Sequence, residues 1–89
     1  MFNKDKLTDL EKARTTFINM QNIYEDLARR NEQRGRVGWS EIDHKLALLN
    51  GILNKASSAL GNTSLEVFYG KSKEFFRIKK NIEDLFLAD

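Results

Sequence analysis

The sequence predicts an all-α fold, an up-down-up bundle of three long antiparallel helices at about residues 5–31, 40–60 and 63–87. Three observations lead to this prediction. Apolar residues recur at helical spacing in three segments, proline is absent, and glycine-containing polar clusters separate the segments. We therefore expect residues 1–89 to form one helical-bundle domain, which dimerisation would complete if apolar surface is left uncovered.

The first segment carries a single apolar face with spacings of three and four residues, as expected for a helix with one buried side. Its members are Leu7, Leu10, Ala13, Phe17, Met20, Tyr24 and Leu27. The polar stretch from Asn31 to Gly38, which contains glycine at 35 and 38, follows this face and predicts the first turn.

The second segment has the most regular seam, which alternates steps of three and four over three heptads. Ser40 and Asp43 resemble a capping box, so this helix should start at Glu41. Gly51 lies beside the seam, and it is either a tolerated defect or, as we favour, a place where another helix approaches closely. The seam residues are Trp39, Ile42, Leu46, Leu49, Leu53, Ala56 and Leu60, and Leu48, Ile52 and Ala59 form a flanking stripe.

The third segment should follow a left-handed Gly61, with Thr63 and Glu66 forming a second capping box. Its core seam is Leu65, Phe68, Ser72, Phe75, Ile82 and Phe86, interrupted by Lys79. A second stripe contains Val67, Ile78 and Leu85, and a third contains Tyr69, Phe76 and Leu87. Two neighbouring helices would leave part of this apolar surface uncovered.

Composition excludes several classes of protein. Cysteine is absent, so no disulfide or thiolate metal site can form, and the longest apolar runs are far shorter than a membrane-spanning helix. The first residues do not resemble an export signal, and we expect a cytoplasmic protein. Its small size and mild net charge of +2 are similar to those of small bacterial or phage accessory proteins.

The sequence contains no catalytic apparatus that we can identify. His44 is the only histidine, and the carboxylates nearest in sequence lie at spacings that do not face each other on a helix. There is no phosphate-binding loop and no nucleophile motif. We therefore expect neither enzymatic activity nor a metal or other cofactor.

Four arginines surround the predicted first turn: Arg29, Arg30, Arg34 and Arg36. They could bind phosphate groups of a nucleic acid, or they could complement the dipole of the helix that ends there and keep the loop soluble. A second basic group on the third helix, Lys71, Lys73, Arg77, Lys79 and Lys80, is more typical of a solvated face. Nucleic-acid binding is thus the alternative hypothesis.

The leading functional hypothesis is a small non-enzymatic binding or adaptor protein of the chaperone, immunity or inhibitor kind, which recognises another protein and associates with itself. It depends on the apolar surplus of the third helix, because uncovered apolar surface often marks an interface. Trp39 either closes the end of the bundle or anchors a partner. The candidate partner-binding residues are Trp39, Tyr69, Phe76, Ile78, Leu85 and Leu87.

Overall fold

A computed structural model describes residues 4–34 and 40–88, with side chains described from residue 8 onward. It contains three α-helices: α1 (Lys4–Gln33), α2 (Glu41–Gly61) and α3 (Leu65–Ala88). The predicted all-α class and the three-helix bundle are confirmed. The prediction ended the first helix two residues early and started the third helix two residues early.

The helices pack side by side into a rod of 57 × 16 × 16 Å. Phe17 of α1 contacts Phe68 near the start of α3, and Arg30 near the end of α1 lies over Phe86 near the end of α3. These two contacts show that α1 and α3 run in the same direction, as an up-down-up bundle requires. Within the part of the chain that is described, no helix combines the length and apolarity needed to cross a membrane.

The core follows the predicted seams closely. All three helices contribute to it, and α2 contributes most: Ala13, Met20, Leu27, Ile42, Leu46, Leu49, Ile52, Leu53, Ala56, Ala59, Phe68, Phe75 and Ile82. Phe17, Tyr24, Leu60, Leu65 and Phe86 are half-buried around it. The side chain of Leu7 and the whole of Trp39 lie outside the described residues.

The start of α2 is fixed by the predicted capping box. The Ser40 hydroxyl oxygen accepts a hydrogen bond from the Asp43 amide at 3.4 Å, and the Ser40 amide donates to Oδ2 of Asp43 at 2.8 Å. Asn31 in the last turn of α1 donates from Nδ2 to Oδ1 of the same carboxylate at 2.7 Å. One carboxylate therefore both caps α2 and joins it to α1.

The turn between α2 and α3 differs from the prediction. Gly61 is the last residue of α2, and Thr63 is the residue with a left-handed backbone, at φ 55°. The Ser64 amide donates to the Ala59 carbonyl at 2.8 Å, and the Thr63 amide donates to the Leu60 carbonyl at 3.0 Å. These two bonds form a Schellman motif, which satisfies carbonyl groups at the end of α2.

The predicted capping box at Thr63 is therefore wrong. Thr63 belongs to the end of α2, and its hydroxyl donates to the Asn62 carbonyl at 2.7 Å rather than accepting from Glu66. The first hydrogen bond of α3 runs from the Phe68 amide to the Ser64 carbonyl at 3.0 Å. The Schellman hydrogen bonds have overridden the preference of threonine for a helix start.

The interpretation of Gly51 as a close approach is also wrong. A Cβ atom built on Gly51 would meet nothing within 4 Å, and the same is true of Gly70 in α3. Neither glycine is needed for packing among the described residues, so both weaken their helices without a steric reason.

Candidate protein-interaction surface

The six candidate partner-binding residues fall into three groups. Tyr69, Phe76 and Leu87 are outward-facing, with exposed fractions of 39%, 37% and 85%. Ile78 and Leu85 are half-buried and pack against the core, so the three-helix bundle covers most of the second stripe. Trp39 lies outside the described residues. The third stripe, together with Val67 at the start of the second stripe, is therefore the apolar part of α3 that the bundle leaves uncovered.

Each exposed ring of the third stripe packs against the buried ring of the preceding residue. Tyr69 packs edge-to-face against Phe68, with centroids 5.4 Å apart, and Phe76 packs in the same way against Phe75 at 5.4 Å. Phe68 and Phe75 are fully buried. Because the core supports the two outer rings, a partner that covers them would pay little conformational entropy to order them.

The basic side chains of α3 divide into two classes. Lys71 pairs with Glu74 at 3.5 Å and Lys79 pairs with Glu83 at 3.2 Å. The other three, Lys73, Arg77 and Lys80, are exposed, and none of them forms an ion pair within residues 4–34 and 40–88. Spacing alone did not indicate this division, because residues three or four apart are neighbours on a helix and Arg77 and Lys80 also have carboxylates at that distance in sequence.

Three uncompensated cations thus lie beside the exposed rings. We call this region the α3 outer surface, and it consists of Tyr69, Lys73, Phe76, Arg77, Lys80 and Leu87. The aromatic stripe and three of the five basic residues of α3 therefore lie on one side of the helix.

Two of the four arginines at the end of α1 contact a single aromatic ring. The guanidinium carbon of Arg30 lies 4.7 Å from the centroid of Phe86, and that of Arg34 lies 5.3 Å from it. Such cation–π contacts stabilise by roughly 0.5–1 kcal/mol each at partly exposed sites. They join the end of α1 to the end of α3.

The other two arginines do not join this contact in the described part of the chain. Arg29 is exposed and lies 3.8 Å from Asp26, while Arg36 lies outside the described residues. The four guanidinium groups therefore do not converge into one described anion site. No sequence signal pointed to Phe86 as a cation–π acceptor, because Arg30 and Phe86 are far apart along the chain.

Comparison with protein-family models, curated proteins and solved structures finds no match for this chain. The function must therefore be argued from the surface of the bundle itself.

Open grooves lie between neighbouring helices, and two of them are lined by described residues. The groove between α2 and α3 has a volume of about 380 Å³, and the groove between α1 and α2 has a volume of about 260 Å³. The first is lined by Glu41, Lys45, Asn81, Asp84 and Leu85, and the second by Phe17, Gln21, Tyr24, Glu25, Asn50, Leu53, Asn54 and Ser57. Neither groove presents a nucleophile paired with a base.

The described residues contain no group of three or more His, Asp or Glu side chains that could hold a metal ion. His44 and Glu41, which have the E-x-x-H spacing found in di-iron bundles, are both exposed on α2. Among the described residues, the α3 outer surface is the region that combines exposed aromatic rings with cations that form no ion pair.

Proposed function

We propose that this chain is a non-enzymatic protein-binding module that recognises another protein through the α3 outer surface. The observation that supports the proposal is the exposure of Tyr69 and Phe76, each of which is in edge-to-face contact with a fully buried ring. Aromatic residues that are exposed but packed against the core on one edge are typical of the residues that contribute most to binding energy at protein interfaces.

The nucleic-acid alternative has less support. The guanidinium groups of Arg30 and Arg34 lie near the Phe86 ring, and Arg29 is paired with an aspartate. Phosphate recognition by arginine depends on several guanidinium groups that converge on one anion. The described residues do not bring the arginines together in that way.

The proposal is tested by tagging the chain, capturing partners from its native host, and measuring the mass of the pure chain by light scattering. Phe76→Glu should abolish partner retention, because it places a charge in the centre of the interface. Circular dichroism should be unchanged, since this side chain is outside the core.

Val67→Glu is the matched control, because Val67 is an exposed apolar residue of α3 on the stripe of Ile78 and Leu85 rather than on the α3 outer surface. It should retain the partner. A doubled mass that Phe76→Glu returns to the monomer value would identify the partner as a second copy. A wild-type chain that is monomeric and retains no partner would contradict the proposal.

A further inference from the structure

Five residues of the α3 outer surface form a second helical seam together with Glu83. Tyr69, Lys73, Phe76, Lys80, Glu83 and Leu87 are separated alternately by four and three residues. This is the spacing with which a helix meets another helix along its length. Each member follows directly after a position of the core seam, so the second seam is rotated by about 100° around α3 from the buried one.

The position of the second seam follows from the contacts of α3. Leu85 and Asn81 face α2 across a groove, whereas Phe68 and Phe86 contact α1. At about 100° per residue, the order around α3 is the α2 side, the core, the α1 contact and then the second seam. A helix bound to this seam would therefore lie along α3 on the side next to α1 and would give the bundle a fourth helix.

The charges around the seam indicate the chemistry of its occupant. Lys73, Arg77 and Lys80 lie around Phe76 and form no ion pair among the residues described. Glu74 and Glu83, the nearest acidic residues, are already paired with other lysines. A partner that brings carboxylates to the centre of the seam would compensate this charge, and complementary charges favour both orientation and association.

A second copy of the chain supplies those carboxylates only in part. In the antiparallel pair that covers the whole seam, Lys73 would lie opposite Glu83, but Glu83 is already paired with Lys79. In the same pair, Arg77 and Lys80 would lie opposite Lys79 and Phe76, where no carboxylate meets them. In a parallel pair, each lysine would lie near its own equivalent, which opposes like charges.

A nucleic acid also fits this surface poorly. Among the described residues, this surface offers only three cations without an ion pair, whereas proteins that bind the phosphate backbone strongly make roughly 6–10 phosphate contacts.

We propose that the second seam of α3 binds an acidic amphipathic helix of another protein. The apolar face of that helix would cover Tyr69 and Phe76, and its carboxylates would pair with Lys73, Arg77 and Lys80. This inference rests on the proposed protein-binding function and names the chemistry of the partner.

The test uses two labelled helical peptides of about three heptads, with leucine at the core positions and either glutamate or lysine at all flanking positions. Fluorescence anisotropy measures their binding to the full chain. The glutamate peptide should bind the wild type about tenfold more tightly than the lysine peptide, because several rim charges of modest energy act together. The double variant K73E/K80E should reverse this preference.

The matched control is R14E/K55E, which changes the net charge by the same amount at exposed positions of α1 and α2. It should keep the wild-type preference. Phe76→Glu should weaken binding of the glutamate peptide, and circular dichroism verifies that every variant is folded.

The inference fails if the glutamate peptide does not bind, or if both double variants lose the preference for it equally. It also fails if an oligonucleotide of about 20 nucleotides binds more tightly than the glutamate peptide and its affinity falls steeply with salt. If Phe76→Glu loses the natural partner while K73E/K80E retains it, the protein-binding function stands and the acidic-helix inference fails. If neither variant affects a retained partner, both proposals fail.

Discussion

Asn31 and Asp43 join the end of α1 to the start of α2 through a hydrogen bond of 2.7 Å between Nδ2 and Oδ1. The same carboxylate receives the Ser40 amide and hydroxyl on its other oxygen, at 2.8 and 2.9 Å. The Asp43 carboxylate therefore both caps α2 and forms a hydrogen bond with α1. This arrangement sets the spacing of the two helix ends that flank residues 35–39.

Removing either member of this pair should destabilise the bundle. We expect Asn31→Ala to lower the free energy of unfolding by about 1 kcal/mol and Asp43→Ala by about 2 kcal/mol, since the second change also removes the cap. A double-mutant cycle by urea denaturation should give a coupling energy of about 1 kcal/mol. Glu32→Ala, at an exposed neighbouring position, is the control and should change little. Additive effects would contradict a direct interaction.

Thr63→Gly should stabilise the protein. A β-branched residue in the left-handed region is strained, and glycine relieves a cost of about 1 kcal/mol while retaining both Schellman hydrogen bonds. The melting temperature should rise. Asn62→Gly is the control, because Asn62 has φ −93° and gains nothing from glycine. A lower melting temperature for Thr63→Gly would show that the threonine hydroxyl contributes more than the backbone strain costs.

Gly51→Ala and Gly70→Ala should each raise the free energy of unfolding by about 0.5–1 kcal/mol. Both positions are within helices, and the added methyl group meets no atom within 4 Å. The two gains should add, because the glycines lie on different helices without shared contacts. Chemical denaturation measures the effect. A loss of stability at Gly51 would restore the interpretation of a close helix approach.

Phe75 and Phe76 are adjacent but should respond differently to truncation. Phe75→Ala removes a fully buried ring and should cost about 3–5 kcal/mol, enough to unfold much of a domain this small. Phe76→Ala removes a ring that is 37% exposed and should cost about 1 kcal/mol. Thermal unfolding followed by circular dichroism compares them. Equal losses would place Phe76 in the core and weaken the case for the α3 outer surface.

The helices and most of the core were predictable from the sequence, because burial in a bundle follows apolar periodicity. Leu46, Leu49 and Leu53 are an example, since each is on the predicted seam and each is buried. The turn at Thr63 was not predictable in the same way. Threonine and serine are both common at helix starts, and only the hydrogen bonds of the folded chain decide which of them ends α2.

The candidate site was predictable in part. The third stripe of Tyr69, Phe76 and Leu87 followed from spacing alone, and all three side chains are exposed. The stacking of Arg30 on Phe86 depends on which faces of α1 and α3 meet. Periodicity within one helix does not show which faces of two helices meet, so this contact could not be predicted from the sequence.

The unequal contacts among the helices have a consequence for the order of folding. α2 and α3 share the most extensive interface and are joined by the short turn at residues 62–64, whereas α1 contacts α3 least. Nearby segments pair faster than distant ones, so the α2–α3 hairpin should form first and α1 should dock afterwards. Hydrogen exchange should accordingly find lower protection at Met20 than at Leu49, although both side chains are fully buried. Equal protection would instead indicate a single cooperative unit.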